Sequence, residues 1–449
     1  MSIIKKIKQY YRKNKTILFT TPSHSQGEFI IPKLNKLLGK DYFKIDFSEI
    51  DGFDNLRNPK GILKKLQRDF AKIYDTKATF MLTNGSTSGI IAAINSVVKE
   101  GEKILLARNC HISVYNALVI TGAIPIWFLP EYNHEWDIYN GVKGTDIQRL
   151  VAKHSDIKAI VITSPTYEGV FSEIELISQI CKQNNIKLIV DEAHGALLKF
   201  DQTLQKSAIN LGADISVQSL HKTAGAPNPC ALLHLGKDSG ISISNIQDNL
   251  NLINTTSPSY PIMCAIEATV KYLDSKKGRK NLINLHKEIT NFKKKLHPNI
   301  CVLEKNDKTK ILIKIDGVPT ENITKILNRC FDIEEEYSNN KSLLFITGIG
   351  TTKNKLKKLR KALNDIYLKT DKIKTTEIAN KVYLPQTVMT PRKALQSDKR
   401  KIETTESLGE ICGEIIIKYP PGIPSILPGE IITVENIFSI ENDQISIIE

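Results

Sequence analysis

Two apolar runs in this chain each end in side chains capable of carbonyl and acid–base chemistry. Leu188, Ile189 and Val190 have the character of a strand buried on both faces, and they lead into Asp191 and His194. A second run, 213–218, leads into Ser219, His221 and Lys222. Open α/β sheets bind ligands at the carboxyl ends of their strands, so the two groups would meet at one edge. A lysine amine condenses with an aldehyde to a Schiff base, and a carboxylate against a pyridine nitrogen keeps that ring protonated and able to accept an electron pair. Together these residues describe a pyridoxal 5'-phosphate site, with Lys222 as the covalent anchor, Asp191 as the pyridine partner and His194 as a nearby nitrogen base. Each group also has an ordinary use. Asp191 alone suits a metal ligand, a helix cap or a nucleotide-site acid, and Lys222 alone suits a surface lysine. The combination is what favours the cofactor.

Such a cofactor also needs somewhere to put its phosphate. NGSTSG at 84–89 follows a strand-like run at 78–83 and opens a helix. Small residues let the backbone approach an anion, and a helix start offers free N–H groups and a favourable dipole. Ser86 and Thr87 are therefore expected to hold the phosphate, helped by Ser219 and His221; the competing use of Ser and Thr is as ordinary caps. RNCHISV sets His111 at the carboxyl end of the strand 103–107, where a flat imidazole can stack on a ring or serve as a satisfied structural histidine. PTYEGV sets Glu168 beyond the strand 158–163, as a ligand-facing acid or a solvated loop residue.

The elements that must position these groups have a βαβ rhythm. Strands at 78–83, 103–107, 123–128, 158–163, 188–190, 213–218 and 231–235, with a helix near 172–185, imply a mostly parallel sheet. Asn58-Pro59 is expected to start a helix with Ile62, Leu63, Leu66, Phe70 and Ile73 buried. Residues 3–11 set Ile3, Ile4, Ile7, Tyr10 and Tyr11 on one helical face, to pack on the chain's own body or a partner subunit rather than on a membrane. In the turn-rich TPSHSQG, His24 reads as a loop imidazole near a subunit boundary. From about Lys276, lysine-rich amphipathic helices alternate with short strands at 310–315 and 342–347, and a polar stretch near 370–378 reads as a linker. In KNKLKKLRKAL, Leu356, Leu359 and Leu363 recur at helical spacing, so the charge run is a wet face.

At 449 residues the chain can bury a core in two or three domains. No apolar run is long enough to span a bilayer, and lysines break up the amino terminus, so no signal peptide is expected and the protein is taken as cytoplasmic. Seven cysteines without a C-x-x-C pair argue against a zinc or disulfide framework, and no metal is expected. The net charge of +14 comes from lysines spread over many helices, which suits a solvated basic surface better than nucleic-acid binding.

DEAH followed by S-x-H-K, together with TPSHSQG, NGSTSG, RNCHISV, PTYEGV, TTSPSY and YPPGIPSILPGE, resembles the Orn/Lys/Arg decarboxylases, the group III amino-acid decarboxylases. Glycine is usual in that family where this chain has Ser23, which alters its first loop. The resemblance implies the fold of PLP-dependent transferases, fold type I, in its short form without a wing domain. It implies a large cofactor-binding domain over 1–275, a small α+β domain over 276–372 and a carboxyl-terminal decarboxylase domain over 373–449. It assigns His111 to the ring face opposite the substrate and implies a homodimer or higher homo-oligomer in which Thr256 reaches the neighbouring subunit's phosphate. It implies decarboxylation of a basic L-amino acid, arginine before lysine before ornithine, feeding polyamine metabolism. A basic side chain needs an acid in the pocket, and Glu168 and Glu430 are the candidates. The rivals are transamination, which normally uses an arginine clamp not evident here, and a catalytically silent homologue, which the presence of both Lys222 and Asp191 disfavours.

Overall fold

The structure is a computed structural model of the chain and describes residues 2–13, 17, 19–50, 52–371, 383–418, 422–437, 440 and 442–449. The expected linker beyond residue 371, the 372/373 boundary and the Tyr-Pro-Pro at 419–421 lie outside the described residues, as does the Tyr11 side chain.

Seven strands form one sheet because most of their residues are apolar and both faces are covered. They are β1 (Ala78–Leu82), β2 (Lys103–Ala107), β3 (Ile124–Phe128), β6 (Ile157–Thr163), β7 (Lys187–Asp191), β8 (Ile215–Ser219) and β9 (Ala231–Leu235), with a small hairpin of β4 (Tyr132–Asn133) and β5 (Ile138–Tyr139) inserted after β3. Their order is β1-β9-β8-β7-β6-β2-β3, and only β9 runs against its neighbours. Side chains alternate between faces, so Ile160, Ile162, Leu188 and Val190 pack with helices Gly144–Lys153 and Ile174–Gln183. Val161, Ile189, Ile215 and Val217 pack on the other face with helices Gly85–Asn95 and Ile112–Thr121. The chain runs from β2 outward to β3 on one side and from β6 through β7 to β8 on the other, so the order reverses between β2 and β6. An open sheet binds ligands at such a reversal.

Helix Ile3–Lys13 buries Ile3 and Ile7 in the same core as Phe70, Tyr74 and Leu273, so its apolar face rests on the chain's own body. Among the described residues no helix is long and apolar enough to cross a membrane. The helix expected to start at Pro59 starts instead at Ile62. The buried carboxylate of Asp54 accepts the N–H groups of Gly61 at 2.7 Å and Leu63 at 2.9 Å, and this cap from a preceding loop sets the boundary.

A second sheet, antiparallel, has the order β10-β11-β13-β12, built from β10 (Ile300–Val302), β11 (Lys310–Ile315), β12 (Tyr337–Ser338) and β13 (Leu343–Ile346). Ile311, Ile313, Leu343 and Phe345 face helices Lys276–Lys294, Thr320–Phe331 and Lys353–Lys369, where Leu356, Leu359 and Leu363 are buried as their spacing predicts. Leu312 and Leu344 pack the opposite way, on Trp136 and Ile138 of the β4–β5 hairpin and against Tyr167 and Val170. That contact ties the second sheet to the cavity described next. Toward the carboxyl end, β14 (Lys399–Glu403) pairs with β17 (Gln444–Ile448), and β15 (Ile416–Lys418) with β16 (Ile423–Ile426).

Candidate active site

The parallel register puts Thr163 at the end of β6 beside Asp191 at the end of β7, and sets Asp191 across from Val217, two residues before the end of β8. Beyond these ends lies a cavity of about 410 Å³ whose lining includes Ser86, Thr87, His111, Glu168, Asp191, His194, His221 and Lys222. Eight of the residues expected at the site from their sequence context are thus brought together. Three are not. Ser219 is fully buried behind the wall, where its hydroxyl donates to Ser86 Oγ at 2.9 Å. Thr256 is exposed and away from its own chain's cavity.

Glu430 is the third, and its expected place at the pocket is not met. Its carboxylate is buried and pairs with Arg108 Nη2 at 2.9 Å while accepting the Leu427 N–H at 2.7 Å. Arg108, which also lies over the Trp127 ring at 5.2 Å, therefore claims the charge that a substrate would have needed. Burial pushes the Glu430 carboxyl up to about 7, with Arg108 pulling the other way.

The phosphate-type corner is made by the start of helix Gly85–Asn95, where Asn84, Gly85, Ser86 and Thr87 border the cavity. The helix can sit this close to the sheet because residue 89 is glycine. A Cβ there would lie 2.5 Å from Leu82 Cδ1 and 2.8 Å from Val217 Cγ1. Gly85, at φ 75°, makes the turn from β1 into the helix in a conformation that few other residues adopt.

Opposite this corner the Lys222 ammonium group lies 2.9 Å from His194 Nε2. Burial, first, and then the nearby Lys222 cation hold His194 well below the usual imidazole range, so its Nε2 is an acceptor and Lys222 donates to it. Burial lowers Lys222 as well, and the Asp191 carboxylate opposes that. Asp191 is buried, with one oxygen accepting the Ala193 N–H at 3.1 Å. His111 caps helix Ile112–Thr121, its Nδ1 accepting the Ser113 N–H at 3.2 Å, and burial lowers its basicity too. His221 Nδ1 lies 3.1 Å from the Cys230 carbonyl and donates to it. His24, by contrast, is a satisfied loop histidine, with ring nitrogens 3.3 Å from Asp46 and from the Gly27 N–H.

Glu168 is buried rather than solvated, and burial raises its carboxyl to about 7. Sequence patterns missed several neighbours. Tyr167 meets the His194 ring edge-on at 4.8 Å and donates its hydroxyl to Glu336 at 2.5 Å, joining the cavity wall to the second sheet. Glu336 ends an acid triplet at 334–336 that reads as an ordinary solvated turn. Lys310 is fully buried beside Asp307. Three buried atoms of cavity-lining residues, His194 Nδ1, Thr163 Oγ1 and Asn109 Oδ1, have no hydrogen-bond partner among the described residues. An amine, an adjacent carboxylate, a helix start and unpaired polar atoms around one cavity fit a polar aldehyde cofactor carrying a phosphate.

Compared with solved structures, the chain has the fold of type I pyridoxal-phosphate enzymes. It superposes on the Bacillus subtilis ureidoglycine-glyoxylate aminotransferase with TM-score 0.55 at 14% identity, over 69% of this chain and 84% of that one. On the Francisella novicida lysine decarboxylase the TM-score is 0.84 at 21% identity, over 99% of this chain and 80% of that one. Residues 2–313 match the Orn/Lys/Arg decarboxylase major domain and residues 372–441 its C-terminal domain. The chain is 30% identical to the arginine decarboxylase of Bacillus subtilis over 437 residues, 94% of this chain and 89% of that protein. It is 23% identical to the inducible lysine decarboxylase of Escherichia coli K12 over 548 residues, 97% of this chain and 75% of that protein. The chain belongs to the Orn/Lys/Arg decarboxylase family, and it is an amino-acid decarboxylase.

Proposed function

We propose that the protein decarboxylates a basic L-amino acid with pyridoxal 5'-phosphate, arginine ahead of lysine and lysine ahead of ornithine, and that its amine product enters polyamine metabolism. The observation that carries this is the Lys222 amine, hydrogen-bonded to a neutral His194 and influenced by Asp191, in a cavity bordered by a helix start. The cofactor, when bound, supplies a protonated ring that accepts the electron pair left as carbon dioxide departs. Lys222 anchors it and, once the substrate amine has taken its place, is at hand to return a proton to Cα. Asp191 holds the proton on the pyridine nitrogen. Ser86, Thr87 and His221 bind the phosphate, with Ser219 orienting Ser86 from behind. His111, which lines the same cavity, would pack against the cofactor ring, and His194 orients Lys222. Glu168 meets the substrate's cationic end, whereas Glu430, paired to Arg108, joins the carboxyl-terminal segment to the end of β2.

The arginine order rests on the 30% identity to the arginine decarboxylase against 23% to the lysine enzyme. Transamination is less well supported, since no arginine is among the described residues lining the cavity. We take the enzyme as a cytoplasmic homodimer divided at 275/276 and 372/373, with Thr256 serving the partner's phosphate; seven unpaired cysteines suit a reducing compartment. Carbon dioxide release from arginine, lysine and ornithine, measured side by side on the cofactor-loaded protein, tests the proposal. Release from arginine should be fastest, and release from none of the three refutes it.

A further inference from the structure

The His194 side chain holds Lys222 by one hydrogen bond. Its Nε2 accepts from the Lys222 ammonium at 2.9 Å, so in the neutral ring Nδ1 carries the proton, and Nδ1 is buried with no hydrogen-bond partner among the described residues. A single bond fixes one point of an imidazole. The ring can still tilt about its Cβ–Cγ axis, and a hydrogen bond weakens steeply as it leaves linearity. Something other than hydrogen bonding must therefore set the plane of the ring that faces Lys222.

Tyr167 stands in that place. Its ring meets the imidazole edge-on, with 4.8 Å between centroids and 69° between planes, and it lines the same cavity as His194 and Lys222. Tyr167 is itself anchored at both ends. At its backbone, the turn after β6 is closed by the Thr166 N–H on the Val170 carbonyl and the Gly169 N–H on the Thr166 carbonyl, both at 2.9 Å. At its tip, the hydroxyl donates to Glu336 at 2.5 Å, and the Glu336 N–H donates to the Leu344 carbonyl of β13 at 2.9 Å. Tyr337 of β12 adds a second edge-on ring at 6.1 Å. A chain of contacts thus runs from the second sheet through Glu336, Tyr167 and His194 to the Lys222 nitrogen. The other groups facing these two residues are charges and imidazoles: Asp191 and Glu336 favour a proton on Lys222 and Lys310 opposes it, while Lys310, His221 and His111 face His194. A charge at a distance does not fix an angle, whereas a packed aromatic ring does.

Resting on the reading of Lys222 and His194 given above, we propose that Tyr167 is a positioning residue whose ring, moored to Glu336 of the second sheet, holds the His194 imidazole with Nε2 aligned on Lys222. The test is the pH midpoint of the visible absorption of the Lys222-bound cofactor in the holoenzyme, for wild type, Tyr167→Leu, Tyr167→Phe, His194→Leu and the double change Tyr167→Leu with His194→Leu. Tyr167→Met takes the place of Tyr167→Leu should that variant not fold. An acceptor aligned on the Lys222 nitrogen favours its proton, so losing the alignment lowers the midpoint. Tyr167→Leu should lower it by about 0.5–1 pH unit, the equivalent of one net hydrogen bond. Tyr167→Phe keeps the ring and loses only the mooring, and should give a smaller shift in the same direction. Because Tyr167 acts through His194, the double variant should match His194→Leu alone. A normal band with an unmoved midpoint in Tyr167→Leu overturns the inference. So does a Tyr167→Leu shift that persists in full on the His194→Leu background, which would make Tyr167 act on the cofactor or substrate directly. Two other results fail at the earlier reading: a wild-type midpoint in His194→Leu removes the orienting role of His194, and a wild-type protein with no borohydride-reducible band removes the cofactor role of Lys222.

Discussion

If Glu168 is the acid that meets the substrate's cationic end, it works only as a carboxylate, and burial has raised its carboxyl to about 7. The ratio of kcat/KM for arginine to that for an uncharged analogue such as norleucine isolates this group. Ionisations common to both substrates, at the α-amine and at the cofactor, cancel in the ratio. Because kcat/KM reports the free enzyme, the ratio should follow the ionised fraction of Glu168, rising about tenfold between pH 6 and pH 8. Glu168→Gln removes the charge but keeps the shape. Losing one partner of a buried charge pair costs about 2–4 kcal/mol, so the ratio should fall by about 30- to 1000-fold at pH 8 and become flat with pH. The same proton bears on stability in a defined direction. A carboxyl raised in the folded state contributes stability that is full below its ordinary range near 4.5 and is lost as the pH climbs through about 7. Wild type should therefore lose melting temperature relative to Glu168→Gln across that window. A ratio that is flat in wild type and unchanged in the variant refutes the assignment and points to Glu336, the acid held at the cavity wall through Tyr167.

Three further outcomes follow from the same geometry. Asp191→Asn should keep most of the cofactor but lose about a hundredfold or more in kcat, since a neutral amide cannot hold the pyridine proton; near-normal turnover would rule out that role. Glu430→Ala leaves the Arg108 guanidinium buried without its charge partner and should cost about 3–5 kcal/mol in denaturant unfolding, whereas the double change with Arg108→Met should recover part of the loss. A single-variant loss under ~1 kcal/mol would make the pair incidental. Mixing Lys222→Ala with Thr256→Glu protein under subunit exchange should restore activity through one intact site per dimer, and failure despite proven exchange would confine each site to one chain.

The parallel sheet and its active edge were legible because they depend on local pattern. Runs such as Leu188-Ile189-Val190 are apolar on successive residues, as a short strand covered on both faces requires, and the polar residue that ends each run marks the ligand edge. What stayed hidden depends on which distant charge each group meets. The start at Ile62 instead of Pro59 is set by Asp54, a cap that no periodicity within the helix announces. Glu168 and Glu430 both follow turn-rich segments and look alike as candidate counter-ions, yet one lines the cavity and the other is taken by Arg108, 322 residues away in the chain. In KILIKI, Lys310 opens an apolar run and Lys314 interrupts it, but Lys310 is fully buried under the cavity loop while Lys314 reaches out to Glu135. Burial of a lysine depends on the loop of another sheet lying over it, and here that loop is Thr166–Val170, which carries Glu168. Glu168 and the turn that carries Lys310 are thus joined by a contact between the two sheets, through Gly169 and the turn at 306–310. A side chain at Gly169 should on that account disturb the placement of Glu168 and with it substrate discrimination, although residue 169 itself carries no chemistry.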